Sequence, residues 1–379
     1  MPLCNNRGFL IVLLLATCLL SSAQRSGAQA TQTAGQPQSA SGPETQHPLS
    51  SDHDPVLSPD PEESTPKPPE KPGAQPGTIT RGGHGQYTLQ RNVDEVVLNA
   101  TVIDDKQHLV PTLAKTDFRV FEDGVEQTIN SFQHQDIPIS LGIIVDNSGS
   151  MRTKREAVNK SAVDLVHSSN PEDESFVVNF SDEAYIDQDF TASIPKLREG
   201  LSHIDSKGGT ALYDAVVASA DYLTKNAKRT KQVLLVITDG EDNASSTTLE
   251  ETVHRIQDLQ GPVVYCIGLL YADEGGGREV HRARRALEML ANETGGIAFF
   301  PKNLGQVDDI AAEVARDIRE QYTIGYHSTK AASLGGFRSV RMEAKAKGYG
   351  KLIVRTRTGY YPNSKSVASG QSQSSNSSK

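Results

Sequence analysis

The chain has no tryptophan, only three cysteines and no excess of basic residues. Each shortage excludes something. Cys4 and Cys18 fall in an N-terminal stretch that reads as an export signal, which leaves Cys266 alone in the mature chain. A single cysteine closes no internal disulfide. Inside the apolar run "VVYCIGLL" it reads as core filling rather than as a nucleophile. A net charge of −9 over 379 residues advertises no nucleic-acid footprint. After residue 20 no apolar run approaches the roughly 20 residues needed to cross a bilayer, so no transmembrane segment is expected in the mature chain. Catalytic signatures are missing too. There is no Gly-x-Ser-x-Gly elbow, and "ADEGGGREV" lacks the Gly-Lys-Ser/Thr ending of a phosphate loop.

What is present divides the chain by texture. Arg7 and the apolar "FLIVLLLATCLL" precede small residues ending at Ala23 or Ala30, so residues 1–30 read as a signal peptide. Residues 31–82, rich in Pro, Ser, Glu and Gly, have little to bury and read as a disordered spacer, as does the Ser-rich tail 363–379. Residues 83–137 are strand-like: "VDEVVLNATVID" alternates, and Asp123-Gly124 offers a hairpin turn inside "DFRVFEDGVEQTINSF". From 138 to 320 the rhythm changes. Continuous apolar strands such as "SLGIIV", "ESFVVNF", "QVLLVIT" and "PVVYCIGLL" alternate with helical stripes such as Leu212, Val216, Ala220 and Leu223. Thr247 with Glu250 suggests a capping box. That alternation predicts an α/β, doubly wound, mostly parallel sheet covered on both faces. Residues 321–362 return to strands. Two organisations are open: one small β-sandwich with the α/β unit inserted, or two separate β pieces. Short strand runs scarcely stabilise themselves, which favours joining them.

Ligands of open α/β sheets bind at the carboxyl ends of strands. Three such ends carry oxygen. The first strand runs into Asp146-Asn147-Ser148-Gly149-Ser150, a second loop reads Gly208-Gly209-Thr210, and "VLLVIT" ends in Asp239. Asp146, Ser148, Ser150, Thr210 and Asp239 together offer two carboxylates and three hydroxyls. Such hard donors select Mg²⁺, Mn²⁺ or Ca²⁺ over zinc or copper. Two carboxylates only balance a dication, so the ion is expected to stay electrophilic. Gly208 and Gly209 permit a close approach of the second loop.

Asp-x-Ser-x-Ser, Gly-Gly-Thr and Thr-Asp-Gly, in this order and on strand ends, resemble the metal-ion-dependent adhesion site (MIDAS) of von Willebrand factor A domains, over about residues 138 to 320. The resemblance implies a doubly wound fold, no catalysis, and one divalent metal. Ser148 and Ser150 would ligate it directly, Thr210 directly or through water, and Asp146 and Asp239 largely through water. A partner's Asp or Glu carboxylate would take the open position. "DFRVFEDGVEQTI", "QYTIGYHS" and "TRTGYYP" resemble flanks of secreted, acidobacterial-type proteins related to this family. After Ser150 the chain reads "MRTKRE", without the aspartates of an adjacent second metal site.

The reading is therefore an exported, non-enzymatic binding protein, periplasmic, at the cell surface or extracellular. Two other classes stay open: an envelope-assembly scaffold with incidental metal, and a serine hydrolase using Ser148. For the latter, His203 near the Gly-Gly-Thr loop is a candidate base and otherwise a surface histidine at a helix end. Glu241 and Asp242 read as a solvated acidic rim, and "HRARRA" as the wet face of a helix.

Overall fold

The computed structural model of the chain describes residues 78–81, 87–90, 95–203, 206–271 and 277–362. The expected signal, nearly all of the expected spacer and the expected tail lie outside these residues. The first described pair is an antiparallel hairpin of β1 (Thr78–Arg81) and β2 (Tyr87–Gln90). β1 falls in the stretch expected as spacer, and its Thr78, Ile79 and Thr80 stand opposite Gln90, Leu89 and Thr88 of β2.

Next come β3 (Glu95–Ile103), β4 (Phe118–Glu122), β5 (Val125–Gln127) and β6 (Ile129–Gln133). The β4–β5 hairpin turns on Asp123 and Gly124, at φ 49° and 80°. Both turn residues take the left-handed conformations of a two-residue hairpin, as the Asp-Gly pair predicts.

The α/β unit follows: β7 (Ile139–Asp146), α1 (Arg155–His167), β8 (Glu174–Phe180), β9 (Ala184–Thr191), α2 (Ile194–Leu201), α3 (Leu212–Asn226), β10 (Lys231–Thr238), α4 (Leu249–Leu259), β11 (Val263–Gly268), α5 (Gly277–Thr294), β12 (Ala298–Phe299) and α6 (Val307–Arg319). Its six strands lie in the order β12-β11-β10-β7-β8-β9, and only the edge strand β9 runs antiparallel. This is the mostly parallel, doubly wound sheet expected from the alternation of apolar strands and striped helices.

Side-chain alternation along β7 sorts the two faces. Ile139, Leu141, Ile143 and Val145 pack with residues of α1, α2 and α6. Ile144 packs on the other side with residues of α3, α4 and α5. Gly142 gives Phe176 its place on that second face, since a Cβ there would meet the ring at 2.5 Å. Cys266 is fully buried in the same cluster, and burial alone raises its thiol pKa far above the usual value, which suits core filling. The capping box sits one residue later than expected. Thr248 and Glu251 make the reciprocal bonds, while Thr247 donates from N and Oγ1 to Asp214. Gly295, at φ 90°, ends α5 as the Gly pair predicts.

The chain closes with β13 (Tyr322–His327), β14 (Arg338–Ala344), β15 (Ile353–Arg355) and β16 (Gly359–Tyr360). These pair with the strands that precede the α/β unit. One antiparallel sheet runs β15-β3-β13-β6 and the other β16-β14-β4-β5. Leu98, Val102 and Ile324 of the first share one core with Phe118, Val120 and Met342 of the second. The two flanks therefore form one β-sandwich, and the α/β unit is inserted between its halves.

Candidate metal centre

In a doubly wound sheet, the crevice opens where strand order reverses, between the first strand and its neighbour on the other side. Here these are β7 and β10. Asp146 is the last residue of β7, and Asp239 directly follows β10. The backbone is extended at Ser148 and then winds into a 3₁₀ turn over Gly149–Thr153, which raises Ser150 beside Asp239. The contacts form a chain. Ser148 Oγ lies 3.1 Å from Ser150 Oγ, and Ser150 Oγ donates to Asp239 Oδ1 at 2.7 Å. Asp146 is fully buried beneath them. Its Oδ1 accepts from the Ser148 N–H at 2.8 Å and its Oδ2 from Thr238 Oγ1 at 2.6 Å.

The Gly-Gly-Thr loop closes the third side. Gly208 is at φ 83°. A Cβ on Gly209 would lie 2.6 Å from Asn243 Oδ1 and 2.9 Å from Asp182 Oδ1, so the loop packs as closely as its glycines permit. Asp182 Oδ1 accepts from the Gly209 N–H at 2.7 Å, and Asn243 Oδ1 from the Thr210 N–H at 2.9 Å. Thr210 lines a cleft of about 500 Å³ with Ser150, Asp239, Tyr271 and Arg282. All five oxygen-bearing residues singled out in the sequence thus meet at one end of the sheet.

Three further residues touch the site: Thr238, which stands in the Thr-Asp-Gly motif, and Lys154 and Arg155, which the sequence reading did not place there. Thr238 braces Asp146. Lys154 Nζ donates to Asp239 Oδ2 at 2.8 Å, with the lysine side chain 5 % and the aspartate side chain 0 % exposed. Arg155, fully buried, donates to Asn179 Oδ1 at 2.7 Å and to the Leu201 carbonyl at 3.2 Å. Burial pushes its guanidinium down to about 10, opposed by the charges of Asp146 and Asp187, so it keeps its proton at neutral pH. Two protein cations thus adjoin the two carboxylates, Lys154 at Asp239 and Arg155 near Asp146. Both come from "MRTKRE", the Lys-Arg pair at the helix start, whose spelling does not say whether the heads reach water or a carboxylate.

Burial raises the carboxyl of Asp146 above its ordinary pKa, against the hydrogen bonds from Thr238 and Ser148. Among the described residues no three His, Cys, Asp or Glu side chains converge as a metal cage. An ion here has to be held by hydroxyls and two carboxylates. Donor spacings near 3 Å match neighbouring vertices around a small hard cation, for which metal–oxygen distances of about 2.1 Å give edges of about 3 Å. The donor set therefore fits the divalent metal that the sequence implies.

The hydrolase candidates do not assemble. The Ser148 hydroxyl bonds Ser150, and His203 is an exposed residue past α2 whose Nδ1 faces Asp187 Oδ1 at 3.1 Å. In the expected solvated acidic rim, Glu241 is paired with Arg282 at 2.5 and 2.9 Å, and Asp242 accepts from the Tyr213 N–H and Ser245 Oγ. None of the described helices is long and apolar enough to cross a membrane.

Among solved structures, the chain is similar to a von Willebrand factor type A protein from Catenulispora acidiphila, at 13 % identity and a TM-score of 0.42, over 72 % of this chain and 74 % of that one. It is similar to proximal thread matrix protein 1 of the mussel byssus, a structure with a zinc-occupied MIDAS motif, at 18 % identity and 0.42, over 53 % and 50 %. A point mutant of the PilB minor pilin from Streptococcus sanguinis aligns at 12 % and 0.39, over 48 % and 62 %. The matched region thus spans under two thirds of the pilin chain and half of the mussel protein. No curated protein matches. Residues 141–241, which run from β7 to just past Asp239, match the model of the von Willebrand factor type A domain.

Proposed function

We propose that the chain is an exported protein-binding module that holds one divalent cation, Mg²⁺, Mn²⁺ or Ca²⁺, at Asp146, Ser148, Ser150, Thr210 and Asp239. The observation that carries this is the unbroken run of oxygen contacts from Ser148 through Ser150 to Asp239, at the mouth of a cleft. When bound, the metal supplies a Lewis-acidic position for an Asp or Glu carboxylate of a protein partner. The chain's own residues orient that position. Thr238 and the Ser148 N–H fix Asp146, Asn243 fixes the Thr210 loop, and the Ser150 turn sets the rim.

The test is calorimetric titration of Mg²⁺ and Mn²⁺ into the EDTA-stripped chain beside Asp146→Ala. One site in the wild type, lost in the variant, is the expected result. A wild type that binds neither ion under any condition would sink the proposal. One observation favours a second reading, an envelope scaffold with incidental metal: the buried Lys154–Asp239 pair already gives one carboxylate a cation. Partner binding indifferent to EDTA would select that reading.

A further inference from the structure

The geometry points to Lys154 as a tethered cation that competes with the metal for Asp239 and so sets how tightly the site binds metal. This rests on the metal site proposed above. Every carboxylate oxygen of the site already has a protein donor. Asp146 takes the Ser148 N–H and Thr238 Oγ1, and Asp239 takes Ser150 Oγ and Lys154 Nζ. Of these donors only Lys154 carries charge. It is nearly as well enclosed as its partner, at 5 % against 0 % exposure. Where water is excluded, an ammonium and a dication sharing one carboxylate repel strongly, so occupancy by either disfavours the other.

The lysine can withdraw. Its four-carbon stem is flexible, and its Nζ already lies 5.3 Å from the centre of the Tyr271 ring, a face that accepts an ammonium. It also stands between the 3₁₀ turn bearing Ser150 and the first residue of α1, so its departure is felt by a ligand-bearing turn. A partner's carboxylate brings a negative charge that offsets the repulsion. Metal and partner are then expected to bind more tightly together than either does alone.

The experiment titrates Mn²⁺ into EDTA-stripped full chain, as wild type, Lys154→Met, Lys154→Arg and Asp146→Ala, with a thermal melt of each before and after Mn²⁺. Lys154→Met should bind Mn²⁺ about ten-fold more tightly than wild type or beyond, while Lys154→Arg, which keeps the charge, stays within about three-fold of it. Without metal, Lys154→Met should melt lower than wild type, because Asp239 has lost its partner, and Mn²⁺ should raise its melting temperature more than that of the wild type. Lys154→Gln serves as the second neutral variant should the methionine fail to fold. Binding by the neutral variants at the wild-type Kd, with Asp146→Ala inactive, would overturn the role of Lys154 and leave the metal site standing. Binding by no chain, neutral variants included, would overturn the site itself.

Discussion

Lys231 opens β10 and is buried at the end of the sheet away from the metal centre, its Nζ donating to the Ile318 carbonyl. Burial pushes its ammonium from 10.5 down to about 8, against the attraction of Asp317, Asp136 and Asp173. The folded value lies below the unfolded one. Between pH 8 and 10.5 the unfolded chain therefore holds a proton that the folded chain has released, and stability rises with pH in that window. Below pH 8 the penalty, about 3 kcal/mol, is present in full. Lys231→Met should remove it: the variant's advantage in urea unfolding is expected to shrink steadily from pH 8 to 10. Parallel stability curves for the two chains would refute the assignment. Lys154, Arg155 and Lys231 share a lesson about legibility. The convergence of the five oxygen-bearing residues was readable because strand-end position and spacing are written in the sequence. The cations were not, because a lysine or arginine beside polar residues looks the same whether its head reaches water or a buried carboxylate.

At the scale of the element, α6 ties the two halves of the molecule together. Asp317, 3 % exposed, accepts from Tyr265 Oη of β11 at 2.6 Å, from Thr101 Oγ1 of β3 at 3.2 Å and from Arg355 of β15 at 2.6 Å. One carboxylate thus joins the α/β sheet to the sandwich through three donors. Asp317→Ala leaves those donors without their acceptor, a loss of about 3 kcal/mol or more. Its unfolding midpoint should fall, and tyrosine probes of the sandwich and of the α/β sheet should then report separate transitions. A single transition at the wild-type midpoint would show that the knot is not what couples the two. Most elements were legible because their apolar spacing is long and regular, as in α3 and α6. α2 was not. Its "IPKLREGL" buries only Leu197, Gly200 and Leu201, too short a stripe to stand out from a loop. The cap of α4 slipped by one residue because Thr247 and Thr248 offer the same hydroxyl, and only the tertiary bond to Asp214 decides which of them caps.

At the scale of the molecule, the strand rhythm of the flanks announced β structure but could not announce its pairing, since a strand's partners are set by residues hundreds of positions away. β3 lies between β15 and β13, and β4 between β14 and β5, so each early strand depends on late ones. The shared core does too: Tyr322, Ile324, Tyr326, Val340, Met342 and Tyr360 all come from the second flank. A chain ended at Gln321 therefore deprives β3 of both neighbours and leaves β4 with only the three-residue β5. Two-stranded fragments are marginal in water, whereas the six-stranded sheet keeps all its strands and both helical faces. Hydrogen exchange should show amides of β7, β10 and β11 still protected in the truncated chain, and those of β3 and β4 exchanging freely. The α/β unit should also be somewhat less stable than in the full chain, because Asp317 has lost Arg355. Protection of β3 and β4 that survives truncation at 321 would mean that the first flank folds by itself, and that the sandwich is a docking of two pieces rather than one module split by an insertion.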